Sequence, residues 1–527
     1  GPSVSNGANF QAGIYDLSES GPAGYSASDW NCVGGDQSDT DTVVVAAGDS
    51  VTCTIVNDDE EPGLTLIKQV TNDNGGTAVP ANWTLTATGP KGFSGSGPSV
   101  SNGPNFAVGS YDLSESGPAA YGASAWVCIG GTQDDDDTIT LGLGESATCT
   151  IVNDDTPPGL TLVKQVTNDN GGTAVAADWT LTATGPSGFS GSGPSISNGA
   201  NFQAGTYDLS ESGPAGYSAS NWSCVGGSQN DIDTITLGIG QSATCTITSN
   251  DLEPGLTLIK QVINDNGGTA TSAEWILTAT GPAGFSGSGP SISNAPGFSA
   301  GSYDLSESGP AGYSAGAWVC VGGNQNDSDT VVLNLGQSAT CTISNNDIEP
   351  SLTLVKRVTN DHGGTAAPAD WTLTATGPAG FSSNGPSISN GAAFQAGTYD
   401  LSENGPGGYS ASDWSCVGGN QEDSHTITLA PGESATCTIG NDDIEPDLTL
   451  IKQVTNNNGG TALPGDWTLT ATGPASFSGS GPNVSNDVNF QAGTYNLSET
   501  GPAGYNASDW NCVGGTQNDT DTVTVAP

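Results

Sequence analysis

The stretch Tyr207-Asp-Leu-Ser-Glu-Ser-Gly-Pro-Ala-Gly-Tyr217 has near-copies that begin at Tyr15, Tyr111, Tyr303, Tyr399 and Tyr495, each start lying 96 residues after the last. A chain that returns to one segment at a fixed period of this size folds as an array of like units, not around one large core. Composition decides what kind of unit. With 78 Gly and 30 Pro the chain is poorly suited to helices, while Val, Ile, Thr, Tyr and Trp recur in short alternating runs. The fold class expected is all-β, a tandem array of β-sandwich repeats of 96 residues.

The unit boundaries follow from the period. Residues 1–63 form the rear part of a unit, four complete units occupy 64–159, 160–255, 256–351 and 352–447, and 448–527 form a front part. Each complete unit opens with a strand such as Leu64-Thr-Leu-Ile-Lys-Gln-Val70, followed by an Asn72-Asp-Asn-Gly-Gly76 turn whose Asn and Gly residues tolerate positive φ. A strand from Trp83 to Thr88 comes next, then a long Gly/Ser/Pro-rich loop from Gly89 to Phe106 with one short strand. The Tyr111 strand, a segment from Tyr121 to Ile129, a strand from Thr138 to Leu141 and a last strand from Ser146 to Asn153 complete the unit. The connectors, Asp59-Glu-Glu-Pro62 being the first, are short and carry Pro, which makes them stiff joints.

Side chains alternate faces along a strand, so Tyr207, Leu209 and Glu211 share a side, as do Leu64, Leu66, Lys68 and Val70. A carboxylate and an ammonium thus both fall on apolar faces, where each needs a partner. The eleven cysteines pair by position. Cys32 and Cys53, Cys128 and Cys149, Cys224 and Cys245, Cys320 and Cys341, and Cys416 and Cys437 are each 21 residues apart, which reads as one local disulfide per unit and an oxidising, extracellular compartment. Cys512 is left over. A zinc–thiolate reading would need C-x-x-C spacing or clustered His, and the chain has only His362 and His425.

These residues resemble the prealbumin-like, B-type repeats of bacterial surface adhesins and pilins. In that family a first-strand Lys bonds covalently to an Asn or Asp on the last strand, with a Glu of the Tyr-x-Leu-x-Glu segment assisting. The resemblance implies an Ig-like, prealbumin-like sandwich and assigns Lys68, Glu115 and Asn153 to one site, Lys260, Glu307 and Asn345 to a second, and Lys356, Glu403 and Asn441 to a third. In the 160–255 unit Lys164 and Glu211 are present but Ser249 stands where the others have Asn, so Asn250 or Asp251 is expected to substitute. Burial makes a Lys easier to deprotonate, and a neutral Glu can carry protons to and from a side-chain amide. The alternative is a buried Lys–Glu ion pair that the Asn merely satisfies.

Charge excludes several functions. Seven Lys and Arg face 55 Asp and Glu, a formal net charge of −48, which repels nucleic acid and anionic membranes. No run approaches the roughly 20 apolar residues of a membrane span. The acidic loops Asp39-Thr-Asp41, Asp134 to Asp137, Asp231-Ile-Asp233 and Asp327-Ser-Asp329, with the Asn-Asp-Asp runs before the connectors, offer oxygen ligands of the kind calcium takes. The competing account is Asx-turn chemistry and solubilising charge. Asn82-Trp-Thr84 and Asn221-Trp-Ser223 match a glycosylation sequon, and Trp83 and Trp126 read as core. No Ser/His/Asp set, recurrent His or cofactor loop points to an enzyme, and no cofactor is expected.

The expected function is that of a structural extracellular filament or stalk on a cell surface, the alternative being a repeat adhesin that binds a surface, glycan or calcium. The terminal pieces lack a Met start and together exceed one unit, so two chains cannot complete a single shared unit head to tail. The expectation is a window of a longer polymer, or strand donation between identical chains, and in either case self-association into filaments.

Overall fold

The computed structural model describes residues 3–527. By compactness the chain divides into Gly1–Leu252 and Glu253–Pro527. Among the described residues every regular element is a strand apart from five single 3-10 turns, and no helix is long and apolar enough to cross a membrane.

The 64–159 repeat shows the plan. Its strands are β1 (Gly63–Thr71), β2 (Thr84–Thr88), β3 (Phe93–Ser96), β4 (Ser99–Ser101), β5 (Gly109–Ser116), β6 (Tyr121–Ala123), β7 (Val127–Ile129), β8 (Thr132–Gln133), β9 (Thr138–Leu141) and β10 (Ser146–Asp155). One sheet has the order β3-β2-β5-β9-β8. The other has β4-β1-β10-β6, with β7 also on β10. All neighbours are antiparallel except β1 and β10, which run parallel with Lys68 opposite Ile151 and Val70 opposite Asn153. Side chains of both sheets, among them Leu64, Leu66, Leu85, Tyr111, Leu113, Ile139, Cys149 and Ile151, meet in one core. This is a β-sandwich.

The stretch from Gly89 to Phe106 departs from the expected loop. It holds two short strands, β3 and β4, and they pair with different sheets, β3 on β2 and β4 on β1. Its Gly, Ser and Pro content hid two short edge strands, one at the edge of each sheet, joined by a connection that crosses from one sheet to the other. The segment from Tyr121 to Ile129 is likewise two strands, and both lie along β10.

The motif's aromatic residues have separate tasks. Tyr111 is buried, stacks on Phe106 with centroids 4.5 Å apart, and donates its hydroxyl to the Ala107 carbonyl at 2.6 Å. Tyr121 packs edge-on against Trp83 and donates to Asn72 Oδ1 at 2.7 Å, which fixes the turn after β1. Gly117 lies against the Trp83 indole, and a Cβ there would strike the ring. The Gly-Pro of the motif therefore answers to a close approach.

Within each compact part, successive repeats are joined by backbone hydrogen bonds. Ala204 N–H donates to the Asn74 carbonyl at 2.7 Å, and Gly144 N–H to the Glu60 carbonyl at 2.9 Å, Glu60 N–H itself donating to Gly24 at 2.8 Å. The second part repeats this, Ala396 donating to Asn266 at 2.7 Å and Gly432 to Ile348 at 2.7 Å. Connector carboxylates add a further bond, from Phe394 N–H to Glu349 at 2.8 Å and from Phe490 N–H to Glu445 at 2.8 Å.

The terminal pieces differ. In 448–527 a core forms around Trp467, Leu469, Phe490, Tyr495 and Leu497, whereas in the described part of 1–63 the buried hydrophobic residues are Val43 and Val45.

Candidate cross-linking site

Alternation along β1 carries Lys68 to the inner face beside Leu64 and Leu66, and alternation along β10 carries Asn153 inward after Cys149 and Ile151. β5 brings Glu115 from the opposite sheet. A lysine, a glutamate and an asparagine far apart in sequence thus meet at one end of the core. The Lys68 side chain has no solvent exposure and Glu115 has 11%, with Nζ 2.8 Å from Glu115 Oε2. Lys68 Nζ also donates to Asn153 Oδ1 and lies 4.9 Å from the centre of the Trp83 ring. Burial pushes the Lys68 ammonium below its ordinary pKa, and the Glu115 carboxylate opposes that shift.

The 352–447 repeat repeats the arrangement, with Lys356 2.6 Å from Glu403 and donating to Asn441 Oδ1. In the 256–351 repeat Lys260 donates to Glu307 at 2.6 Å, while Asn345 is buried at the same register with its Oδ1 unpartnered. Burial lowers the pKa of Lys260 and Lys356 as well, against the pull of their glutamates.

The 160–255 repeat corrects the sequence expectation. Asn250 is not brought to Lys164. Ser249 occupies the inward register, accepting from Lys164 Nζ and donating to Glu211 Oε1 at 2.7 Å, with Lys164 2.7 Å from Glu211. The reason is the period of two along a strand: moving one residue on reverses the face, so Asn250 cannot replace Ser249. Asp251 returns to the inner face but is committed elsewhere. Its carboxylate accepts the backbone N–H groups of Asp169, Asn170 and Gly172 at 3.0, 2.9 and 2.7 Å.

That second role recurs and was missed from sequence. Asp155, Asp347 and Asp443 are buried at the same place and bind the amides of the Asn-Asp-Asn-Gly-Gly turn or its Asp361-His-Gly-Gly364 counterpart. The signal was present: the last Asp of each run falls on the inward alternation of β10. The outer acidic loops are Asx turns, Asp135 Oδ1 accepting Asp137 N–H at 3.1 Å and Asp327 accepting Asp329 at 3.1 Å. Gln133 supports this loop by donating to the Trp126 and Asp135 carbonyls while its Oε1 accepts Cys128 N–H. The terminal piece 448–527 holds a further lysine–glutamate pair outside the expected sites, Lys452 and Glu499 at 2.5 Å. Disulfides join Cys32–Cys53, Cys128–Cys149, Cys224–Cys245, Cys320–Cys341 and Cys416–Cys437, each between facing residues of neighbouring strands, and Cys512 is free.

The profile of the prealbumin-like fold domain matches residues 1–55, 59–151, 155–247, 251–343, 347–439 and 443–527. The chain belongs to the prealbumin-like fold domain family. Solved structures with which these prealbumin-like repeats share a likeness include the Bacillus anthracis TIE protein, at 12% identity and TM-score 0.39 over 84% of this chain and 76% of that one. Two B repeat units of the collagen-binding protein of Staphylococcus aureus match at 10% identity and TM-score 0.18 over 72% and 99%. The major pilin T-13 of Streptococcus pyogenes matches at 12% and 0.19 over 36% and 97%. Such identities and scores extend no further than the general fold. No curated protein matches the chain.

Proposed function

We propose that this chain is a structural protein of the cell exterior, a stalk or filament whose prealbumin-like repeats are stapled by disulfides and, in three of the complete units, by Lys–Asn isopeptide bonds. The observation that carries the reading is the burial of Lys68 and Asn153 together, on the first and last strands of a repeat, against part-buried Glu115 of the opposite sheet. In the reaction, Glu115 takes a proton from Lys68, the neutral Nζ attacks Asn153 Cγ, and the C–N bond to the side-chain amide nitrogen breaks. That nitrogen takes up the proton returned by Glu115 and leaves as ammonia, while the attacking Nζ gives its surplus proton to the Glu115 carboxylate and becomes the amide nitrogen. Contact within a folded core makes the step intramolecular.

The mechanical consequence supports the reading. Because β1 and β10 are adjacent and parallel, tension applied through the two ends of a repeat loads that strand pair in shear. A Lys68–Asn153 bond would carry the load directly from β1 to β10 and spare the chain between them. Successive repeats of one chain join head to tail through the same bonds, and a head-to-tail contact of that kind between identical chains would build an open filament wherever its rotation does not close a ring. No catalytic turnover is proposed beyond the single self-reaction.

Intact mass and peptide mapping of the native protein test this. The expected mass deficit is one ammonia per cross-linked repeat, with Lys68–Asn153, Lys260–Asn345 and Lys356–Asn441 peptides and none from Lys164. No deficit, or an undiminished cross-link in Glu115→Ala, would leave the buried ion pair as the whole account.

A further inference from the structure

Three of the four complete repeats have Asn at the third position of the turn after their first strand, Asn74, Asn170 and Asn266, and 352–447 alone has His362 there. The fold sets this imidazole against the far end of the repeat's last strand. His362 Nδ1 lies 2.8 Å from Asp361 Oδ1, 3.2 Å from the Asp443 carbonyl oxygen and 3.6 Å from Asp443 Oδ1, and donor atoms of Asp361, His362, Asp442 and Asp443 all fall within 4.8 Å of one another. Ligands held about 2.0–2.1 Å from a tetrahedral ion stand roughly 3.4 Å apart, so these separations suit one small cation between them. Asp361 and Asp442 are exposed, which leaves the position open to solvent.

We infer that this turn is a binding site for a divalent transition-metal ion of the zinc type, with His362 Nδ1 and the carboxylates of Asp361 and Asp442 as ligands and water in the remaining position. Asp443 holds the turn in place through its bonds to the Asp361, His362 and Gly364 amides, and adds charge beside the ion. The imidazole decides the metal class. Carboxylates alone suit calcium or magnesium, whereas a nitrogen donor among them selects zinc, copper or nickel. The equivalent position of the 64–159 repeat brings together only Asp73, Asp154 and Asp155, and carries no such site.

The site borders a junction. The His362 carbonyl accepts Ala492 N–H of the following repeat at 2.5 Å, and Glu445, 3.8 Å from His362 Nε2, accepts Phe490 N–H. An ion on this turn therefore bears on the joint between 352–447 and 448–527.

The test is calorimetric titration of the full chain with Zn²⁺ alone in a non-chelating buffer. His362→Asn restores the residue that three sister repeats fold with, and His425→Asn is the control, since the two nitrogens of His425 face different carboxylates. The expected result is one saturable zinc site per chain, weakened at least about tenfold in H362N and unchanged in H425N. Equal zinc binding by the native chain and H362N, or no saturable site in the native chain, would overturn the inference.

Discussion

The repeats at 64–159 and 160–255 have the same strands, the same disulfide and the same buried lysine–glutamate pair, and differ at the heart of the site by one side chain, Asn153 against Ser249. Packing does not discriminate between them. Ser249 accepts from Lys164 and donates to Glu211, so the buried charges are satisfied without an amide. What the serine lacks is a carbonyl carbon for an amine to attack. The pair of repeats thus separates the polar network, which both have, from the proposed covalent step, for which only Asn153 offers an amide carbon.

Exchanging the two residues is the sharpest way to break the comparison. Asn153→Ser should abolish the cross-link of its repeat and remove about 4–5 kcal/mol, the chain-entropy value for closing a loop of this length. Ser249→Asn should create an isopeptide bond from Lys164 to the introduced amide side chain and gain a similar amount. Peptide mapping with calorimetry of the full chain reads both, and identical melting and mass across the exchange would dissolve the distinction.

Removing the cation tests the network itself. Lys164→Met leaves Glu211 part-buried with the Ser249 hydroxyl but no cation beside it, and should cost about 3–5 kcal/mol. Adding Glu211→Gln should recover most of that loss in denaturant melts, and failure to recover would mean that Lys164 acts mainly through its ammonium over the Trp179 ring, 4.7 Å from the centroid. The disulfide effect should be the same in both repeats. Cys224→Ser with Cys245→Ser, and Cys128→Ser with Cys149→Ser, should each cost about 3 kcal/mol, and a larger loss in the serine-type repeat would show that the staples are not independent.

The smallest expected effect concerns the turn lock. Burial raises the Asp251 carboxyl, but the amides of Gly172, Asn170 and Asp169 outweigh it and hold the pKa below the ordinary value. A folded-state pKa below the unfolded one contributes stability above the ordinary carboxyl range, and that contribution fades as pH falls through the lower folded value. The native chain should exceed Asp251→Asn by about 1–3 kcal/mol at neutral pH, and the gap should narrow in strong acid. A gap that stayed constant with pH would assign the effect to shape alone.

Much of the site is legible in the amino-acid sequence, because the period of two along a strand and the period of 96 along the chain both act on residues that can be counted. Lys68, Glu115 and Asn153 each stand out as polar residues on an apolar alternation, and Cys128 and Cys149 as a pair of fixed spacing. The edge strands β3 and β4 are hidden, since Gly and Ser give no hydrophobic pattern and the two gain their order by pairing with β2 and β1 in opposite sheets.

The unit, its longer strands and which of their residues turn inward follow from local alternation and from repetition in the amino-acid sequence. What those inward residues meet depends on how the sheets pack. Parallel pairing of β1 with β10 sets Lys68 beside a residue 85 positions away, rules out Asn250 in favour of Ser249, and sends Asp251 to the turn amides. Register between distant strands is a property of the packed sheet, in which each side chain's partner depends on how the whole core closes.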